Sequence, residues 1–169
     1  DAPFSFFIPI LCLHPMIEKK IIIDHAEEFL KETSDYLVDV TITPANFISI
    51  EIDNDDGVDL ERCIELSRFI ESKLDREIED FELTVGSAGL TSPLKTKRQY
   101  KKYLGKEVEV LSNKGIKLSG DLKSYNDEGF IVETTKMEKP EGAKRKIEVK
   151  KEISFTYDEV KYTKYKIRF

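Results

Sequence analysis

Eleven consecutive residues, 84–94 (TVGSAGLTSPL), carry no charge in a chain that is 36% Asp, Glu, Lys and Arg. The sign of the charge changes across this stretch. Residues 1–90 hold 21 Asp and Glu against 7 Lys and Arg; residues 91–169 hold 12 against 20. The hydrophobic pattern changes at the same place, from mixed helix and strand periods to strand periods almost alone. A chain of 169 residues can form two small domains, each with a modest core. The expectation is therefore an N-terminal α+β domain over residues 16–87, a hinge over 88–95 and a C-terminal β domain over 96–169. Gly86 and Gly89 give the hinge backbone angles that other residues avoid. Leu90 continues it, and Pro93 stiffens its exit.

Residues 1–15 look foreign to the rest. They contain no Lys or Arg, Pro9 interrupts their apolar run, and no small-x-small cleavage site follows. The run is too short to span a bilayer. Met16-Ile17-Glu18-Lys19-Lys20 reads as a natural start, so 1–15 is expected to be a non-native or disordered leader. Cys12 and Cys63 form neither a metal spacing nor a disulfide framework. With no signal peptide, a reducing cytoplasm is the expected compartment.

In residues 17–33, Ile22, Ala26, Phe29, Leu30 and Thr33 fall on one helical face. Residues 36–43 and 47–52 switch to period two and predict an antiparallel hairpin. Tyr36, Val38, Val40 and Ile42 share one side of the first strand, and Ile48, Ile50 and Ile52 one side of the second. Asp59 is a predicted N-cap for a helix over 60–74. Its stripe is Leu60, Cys63, Ile64, Ser67, Ile70 and Leu74, widened by Leu66 and Phe69. Phe81, Leu83 and Val85 predict a third strand. The result is a helix–strand–strand–helix–strand sandwich with its helices on one sheet face.

After the hinge, residues 96–104 predict a short basic helix stopped by Gly105. Strands are predicted over 106–112, 116–124, 129–135, 145–157 and 162–169, with a 3₁₀ step near Asp158. Five short strands predict a small barrel of SH3 or Sm type, because closing a sheet removes its exposed edges.

Little in the sequence points to catalysis. No Ser-centred elbow, P-loop or dinucleotide fingerprint occurs, His25 reads as a surface residue, and Cys63 lies on an apolar stripe. An EF-hand alignment on Gly57 puts Ile52 and Cys63 at ligand positions, so residues 53–59 read as a capped, solvated turn and no metal or cofactor is expected. Gly86-Ser87-Ala88-Gly89 formally matches a nucleic-acid-clamping GxxG, but it follows a strand and is uncharged, which favours the hinge. The basic residues stand out more. Lys95, Lys97, Arg98, Lys101 and Lys102 crowd the short helix with Tyr100 and Tyr103 among them. Lys144, Arg145 and Lys146 open a strand, with Lys150 and Lys151 beyond them. Such clusters bind phosphates by charge and counterion release, and neighbouring aromatics can stack on unpaired bases. A partner that presents both signs of charge, as a ribonucleoprotein does, suits the two halves; attraction of the halves for each other is the alternative.

At the hinge, residues 87–94 (SAGLTSPL) resemble the S-(P/A)-G-L-(D/T)-(R/S)-P-L signature of the ribosome maturation factor RimP family. Residues 52–63 look like that family's strand, acidic-Gly turn and helix start. Residues 103–108 (YLGKEV) are similar to its entry into the C-terminal barrel. The resemblance covers residues 16–169. It departs at Ala88, Thr91 and Ser92, where many members carry Pro, Asp and Arg, and residues 136–145 draw out the barrel's third turn. The resemblance implies a non-enzymatic factor, acting as a monomer away from membranes. It would bind the immature 30S subunit, meeting both 16S rRNA and small-subunit ribosomal proteins. In that setting Lys95, Lys97, Arg98, Lys101, Lys102, Lys144, Arg145 and Lys146 are the expected rRNA contacts. Asp53, Asp55 and Asp56 are the expected ribosomal-protein contacts. Two other readings fit the residues: an Sm-like module acting on free RNA, and an SH3-type protein-interaction adaptor.

Overall fold

The computed structural model describes residues 17–142 and 144–167; the expected leader and the start at Met16 lie outside them. The first half has the order α1 (Lys19–Leu30), β1 (Tyr36–Ile42), β2 (Phe47–Asp53), α2 (Leu60–Lys73) and β3 (Glu82–Ser87). The strands form a three-stranded sheet, β1-β2-β3, in which β1 and β2 are antiparallel and β2 and β3 parallel. The α2 crossover supplies the length that a parallel pair requires. Asp59 caps α2 as expected, its carboxylate accepting from the Glu61 N–H at 3.2 Å. Ile22, Ala26 and Leu30 of α1 and Cys63, Leu66 and Ile70 of α2 pack on Val40, Ile48, Ile50, Ile52 and Phe81. Phe29 and Phe69 join the two helices with ring centroids 5.3 Å apart.

Two details differ from the periodic reading. A register shift between Leu37 and Asp39 bulges β1 at Val38, so Leu37 packs against the core together with Val40 and Ile42. The extra residue of a bulge inverts the alternation behind it. Leu60, assigned to the apolar stripe of α2, is 73% exposed, and Ile64 one turn on is also exposed.

The second half has the order α3 (Lys97–Lys102), β4 (Glu107–Ser112), β5 (Lys117–Tyr125), β6 (Gly129–Glu138), β7 (Ile147–Thr156), a 3₁₀ turn (Tyr157–Glu159) and β8 (Val160–Tyr165). The sheet order is β7-β6-β5-β4-β8, antiparallel throughout. No β7–β8 ladder forms among the described residues, so the sheet is not a closed barrel. Its core is Val108, Val110, Leu122, Phe130 and Val132, roofed by Tyr100 and Tyr103. Tyr100 lies 5.0 Å from Phe130 and 5.2 Å from Tyr157 between ring centroids, and Tyr103 stacks on Tyr165 at 4.9 Å. The two tyrosines expected to offer faces to unpaired bases are thus buried in this core.

The expected hinge stretch is bonded at both ends. Gly86 belongs to β3, opposite Glu51, and the Ala88 N–H still donates to Ile52 O at 2.9 Å. A turn closes with Ser92 N–H to Gly89 O at 2.9 Å. Pro93 then bridges to Lys164, and the Leu94 N–H donates to Thr163 O at 2.8 Å, which ties the exit to β8. Only residues 89–92 run between these anchors, and Leu90 is exposed there.

Gly129 opens β6 where another backbone crosses it. A Cβ built there would sit 2.0 Å from the Phe155 carbonyl oxygen, closer than packed atoms approach. Gly129→Ala is expected to cost about 1–3 kcal/mol through overpacking. Thermal unfolding checks it, with a fall in Tm carried by the second core.

Candidate functional site

The helix α3 has three faces, and each does something different. Thr96 caps it, accepting from the Gln99 N–H at 3.3 Å. The Gln99 side-chain carbonyl reaches back to the N–H groups of Lys95 (2.8 Å) and Thr96 (3.2 Å), which completes a capping box. With its oxygen held by two donors, the Gln99 amide can only present its NH₂ outward, and that group donates to Asp53 Oδ2 at 3.1 Å. Tyr100 and Tyr103 form the second face, toward the core. Lys97 and Lys101 are exposed on the third, with Lys97 Nζ 2.6 Å from Asp127.

Arg98, Gln99 and Lys102 lie on one side of α3 by the i, i+3, i+4 rule, and with Lys95, just before the Thr96 cap, they meet the acidic half. Lys102 Nζ donates to Asp53 Oδ1 at 2.9 Å and to the Asn54 carbonyl at 2.8 Å. The Asp53 side chain is 6% exposed and that of Lys102 13%. Asp53 Oδ1 also accepts from the Asn54 N–H at 2.8 Å. Arg98 lies over the Tyr36 ring, 4.2 Å from its centroid, and donates to Ser34 O at 3.0 Å and Asp55 Oδ2 at 3.4 Å. Burial, with the Asp53 and Asp55 carboxylates, pushes the Tyr36 phenol well above its ordinary range.

Lys95 answers a problem created by the β1–β2 register. Asp39 and Glu51 are directly opposite each other in the ladder, an arrangement that is repulsive for like charges. Lys95 Nζ sits 2.9 Å from an oxygen of each, and Lys19 lies 3.7 Å from Asp39 on the other side. Burial opposes ionisation of Asp39, but the hydrogen bond and charge of Lys95, with the charge of Lys19, outweigh it and hold the carboxyl below its usual range. The hydrogen bond that Lys95 donates to Glu51, then the one to Asp39, raises Lys95 above the ordinary lysine value against the effect of burial.

The expected contact residues therefore fall into separate groups. Arg98 and Lys102, expected to face RNA, are joined to Asp55 and Asp53, expected to face ribosomal protein, and Lys95 is taken up by Asp39 and Glu51. Asp56 is exposed at the turn, Lys101 on the outer side of α3, and Lys144, Arg145 and Lys146 at the far end of the β6–β7 hairpin. Asp39, Glu51 and Gln99 complete the seam and were not singled out from sequence. Thr96-Lys97-Arg98-Gln99 is a legible capping box. The opposition of Asp39 and Glu51 is legible only once the bulge fixes the register.

Asn54 extends the seam inward, donating to Ser34 Oγ and Asp35 Oδ1, both at 2.8 Å. Asp35 in turn accepts from Arg62 Nε at 3.0 Å. Asp53, Asn54 and Asp55 of this turn are thus used within the fold. Among the described residues no group of three or more His, Cys, Asp or Glu is placed to hold a metal ion. Nor is any helix long and apolar enough to cross a membrane. Cys63 is a buried free thiol raised by desolvation and then by Asp35 and Asp59.

Residues 25–91 match the family model described as the RimP N-terminal domain. A relative named ribosome maturation factor RimP, from Porphyromonas gingivalis strain W83, is 42% identical over 146 residues. The alignment spans 86% of this chain and 96% of the relative. A second of that name, from Christiangramia forsetii, is 36% identical over 154 residues, 91% of this chain and 100% of its own. A third, from Flavobacterium psychrophilum, is 48% identical over 75 residues, covering 44% of this chain and 49% of the relative.

Asp53→Ala is expected to destabilise the chain by about 3–5 kcal/mol, because it leaves the Lys102 ammonium largely buried without a carboxylate. Adding Lys102→Met should recover part of that loss, and urea unfolding of the single and double variants measures both. The pH dependence has two limbs. Asp39 is depressed, so its contribution is present above the unfolded carboxyl value of about 4 and is lost as pH falls through its lower folded value. Lys95 is raised, so its contribution is full below about 10.4 and is lost as pH rises through its higher folded value. Energy transfer between labels on the two halves should be flat between these limits and fall outside them, and Asp39→Asn should reduce the acid limb.

Proposed function

Because this chain belongs to the ribosome maturation factor RimP family, we propose that it acts as a ribosome maturation factor by binding the immature 30S subunit. The observation that carries this reading is similarity to factors of that name across both halves of the chain, at 42% identity over 86% of its length. The mechanism is binding without a chemical step. A factor that prefers one arrangement of RNA and protein shifts the population toward it, by no more than its difference in affinity for the two.

On this reading the chain has two domains, divided near residues 88–95, and works in the cytoplasm. The order β7-β6-β5-β4-β8, with a 3₁₀ turn before β8, supports an SH3-like description of the second. Charge assigns the surfaces. Asp56 and the other exposed acids of the first half suit basic ribosomal proteins, while Lys101, Lys144, Arg145 and Lys146 suit rRNA phosphates. The seam cations and Asp53 and Asp55 hold the two halves in one relation, and so set the angle at which both surfaces meet the particle.

In a sucrose gradient at low salt, the protein is expected with immature 30S particles and depleted from 70S ribosomes, and its deletion should raise the level of unprocessed 16S rRNA. Absence from the 30S region together with normal 16S processing would overturn the reading.

A further inference from the structure

The β6–β7 hairpin runs past the sheet that supports it. The β5–β6 pairing ends at Asp121↔Glu133, whereas β6 and β7 stay paired through Lys136↔Val149 to Glu138↔Ile147. From Thr135 outward, the residues of β6 are all exposed, Met137 and Ile147 by half or more. A ladder that adds almost nothing to a core has its ordering entropy unopposed by burial, and isolated two-stranded ribbons are marginal in water. Its persistence fits a role outside the fold.

Register sorts the charges on this ribbon. Phe130 and Val132 point into the core, and side chains alternate along a strand, so Thr134, Lys136 and Glu138 continue that face. Their partners Lys151, Val149 and Ile147 lie on the same side. The opposite face carries Glu133, Glu148 and Glu152, with Thr135, Met137 and Lys150. There Glu133 is bound by Lys123 at 3.1 Å and by Lys150 at 3.4 Å. Among the described residues, Lys136, Lys151, Lys144, Arg145 and Lys146 form no ion pair. The cationic face, with aliphatic Val149 and Ile147 beside it, leads to the basic run 144–146. Lys136 and Lys151 outnumber Glu138 on one face, and Glu133, Glu148 and Glu152 outnumber Lys150 on the other; edge protection alone does not require such a difference in net charge between faces.

We propose that this ribbon is an RNA-docking arm. Lys136 and Lys151 on its core-side face and Lys144, Arg145 and Lys146 near its end meet the sugar–phosphate backbone, while the acidic face points away. The inference deepens the ribosome reading and rests on it for RNA as the partner. Contacts to phosphates position a protein without reading bases, so the arm docks without sequence preference.

The test uses the full chain and two RNA duplexes of unrelated sequence, with binding followed by fluorescence anisotropy across a salt series. Each phosphate contact adds roughly 0.9 to the slope of log K against log salt on B-form DNA, taken as a guide for duplex RNA. Replacing Lys136, Lys144, Arg145, Lys146 and Lys151 together by Ala should weaken both duplexes by about tenfold or more and lower the slope by about 2 or more. Lys123→Ala with Lys150→Ala, on the opposite face, should leave affinity and slope within twofold of the parent (~0.4 kcal/mol). Circular dichroism checks that each variant is folded. Equal binding by the five-residue variant, or equal losses from both faces, overturns the arm. Duplex binding lost with the five residues, in a chain that fails to join 30S particles, overturns the ribosome reading alone.

Discussion

The ion pair between Asp53 and Lys102 is the contact on which the relation of the two halves depends. Both side chains are mostly withdrawn from water, and a buried charge is tolerated only when its hydrogen-bonding capacity is met. Here it is met by groups of unlike origin. Asp53 receives an ammonium and an amide from α3 and an N–H from its own turn, and Lys102 also finds the Asn54 carbonyl. The carboxylate ends β2 and the cation ends α3, so two elements separated by the linker share one set of hydrogen bonds. Moving either would strand charge in a region of low polarity.

The rest of the seam follows the same logic at higher exposure. The β1–β2 ladder sets Asp39 against Glu51, which leaves the first half with a local repulsion that Lys95, from beyond the linker, relieves. Arg98 uses a planar cation for what a planar cation does well, stacking on the Tyr36 ring while donating at its edge. Exposed pairs contribute little singly; their value here is that Arg98 and Lys102 on one side of α3, and Lys95 just before its cap, meet their partners in a single docking geometry. The linker needs no rigidity of its own, since its exit is bonded to β8 and α3 is held on both sides.

This use of charge changes what is left for a partner. The densest basic cluster in the sequence is largely consumed inside the molecule, and so are two of the three acids of the 53–56 turn. The charges that remain available lie at the periphery, on the outer face of α3, on the exposed acids of the first half and on the β6–β7 ribbon. On the function proposed above, separated acidic and basic surfaces would let the molecule orient on a particle that offers both basic protein and RNA phosphate.

Sequence by itself determined the local pieces. Apolar period fixed α1, α2 and the β1–β2 hairpin, with Ile48, Ile50 and Ile52 inward, because a buried face must repeat at the period of its element. Asp59 announced its helix through cap chemistry, and residues 87–94 pointed to the family. Tertiary structure decided what those pieces meet. The bulge at Val38, the open edges of the second sheet and the ladder running to Glu138↔Ile147 depend on register, which composition does not encode. The fate of Lys95, Arg98 and Lys102 was illegible for a plain reason. A cluster of cations looks the same in sequence whether its counter-charge is a phosphate or a carboxylate some fifty residues earlier in the same chain, and only the folded geometry brings that carboxylate within reach.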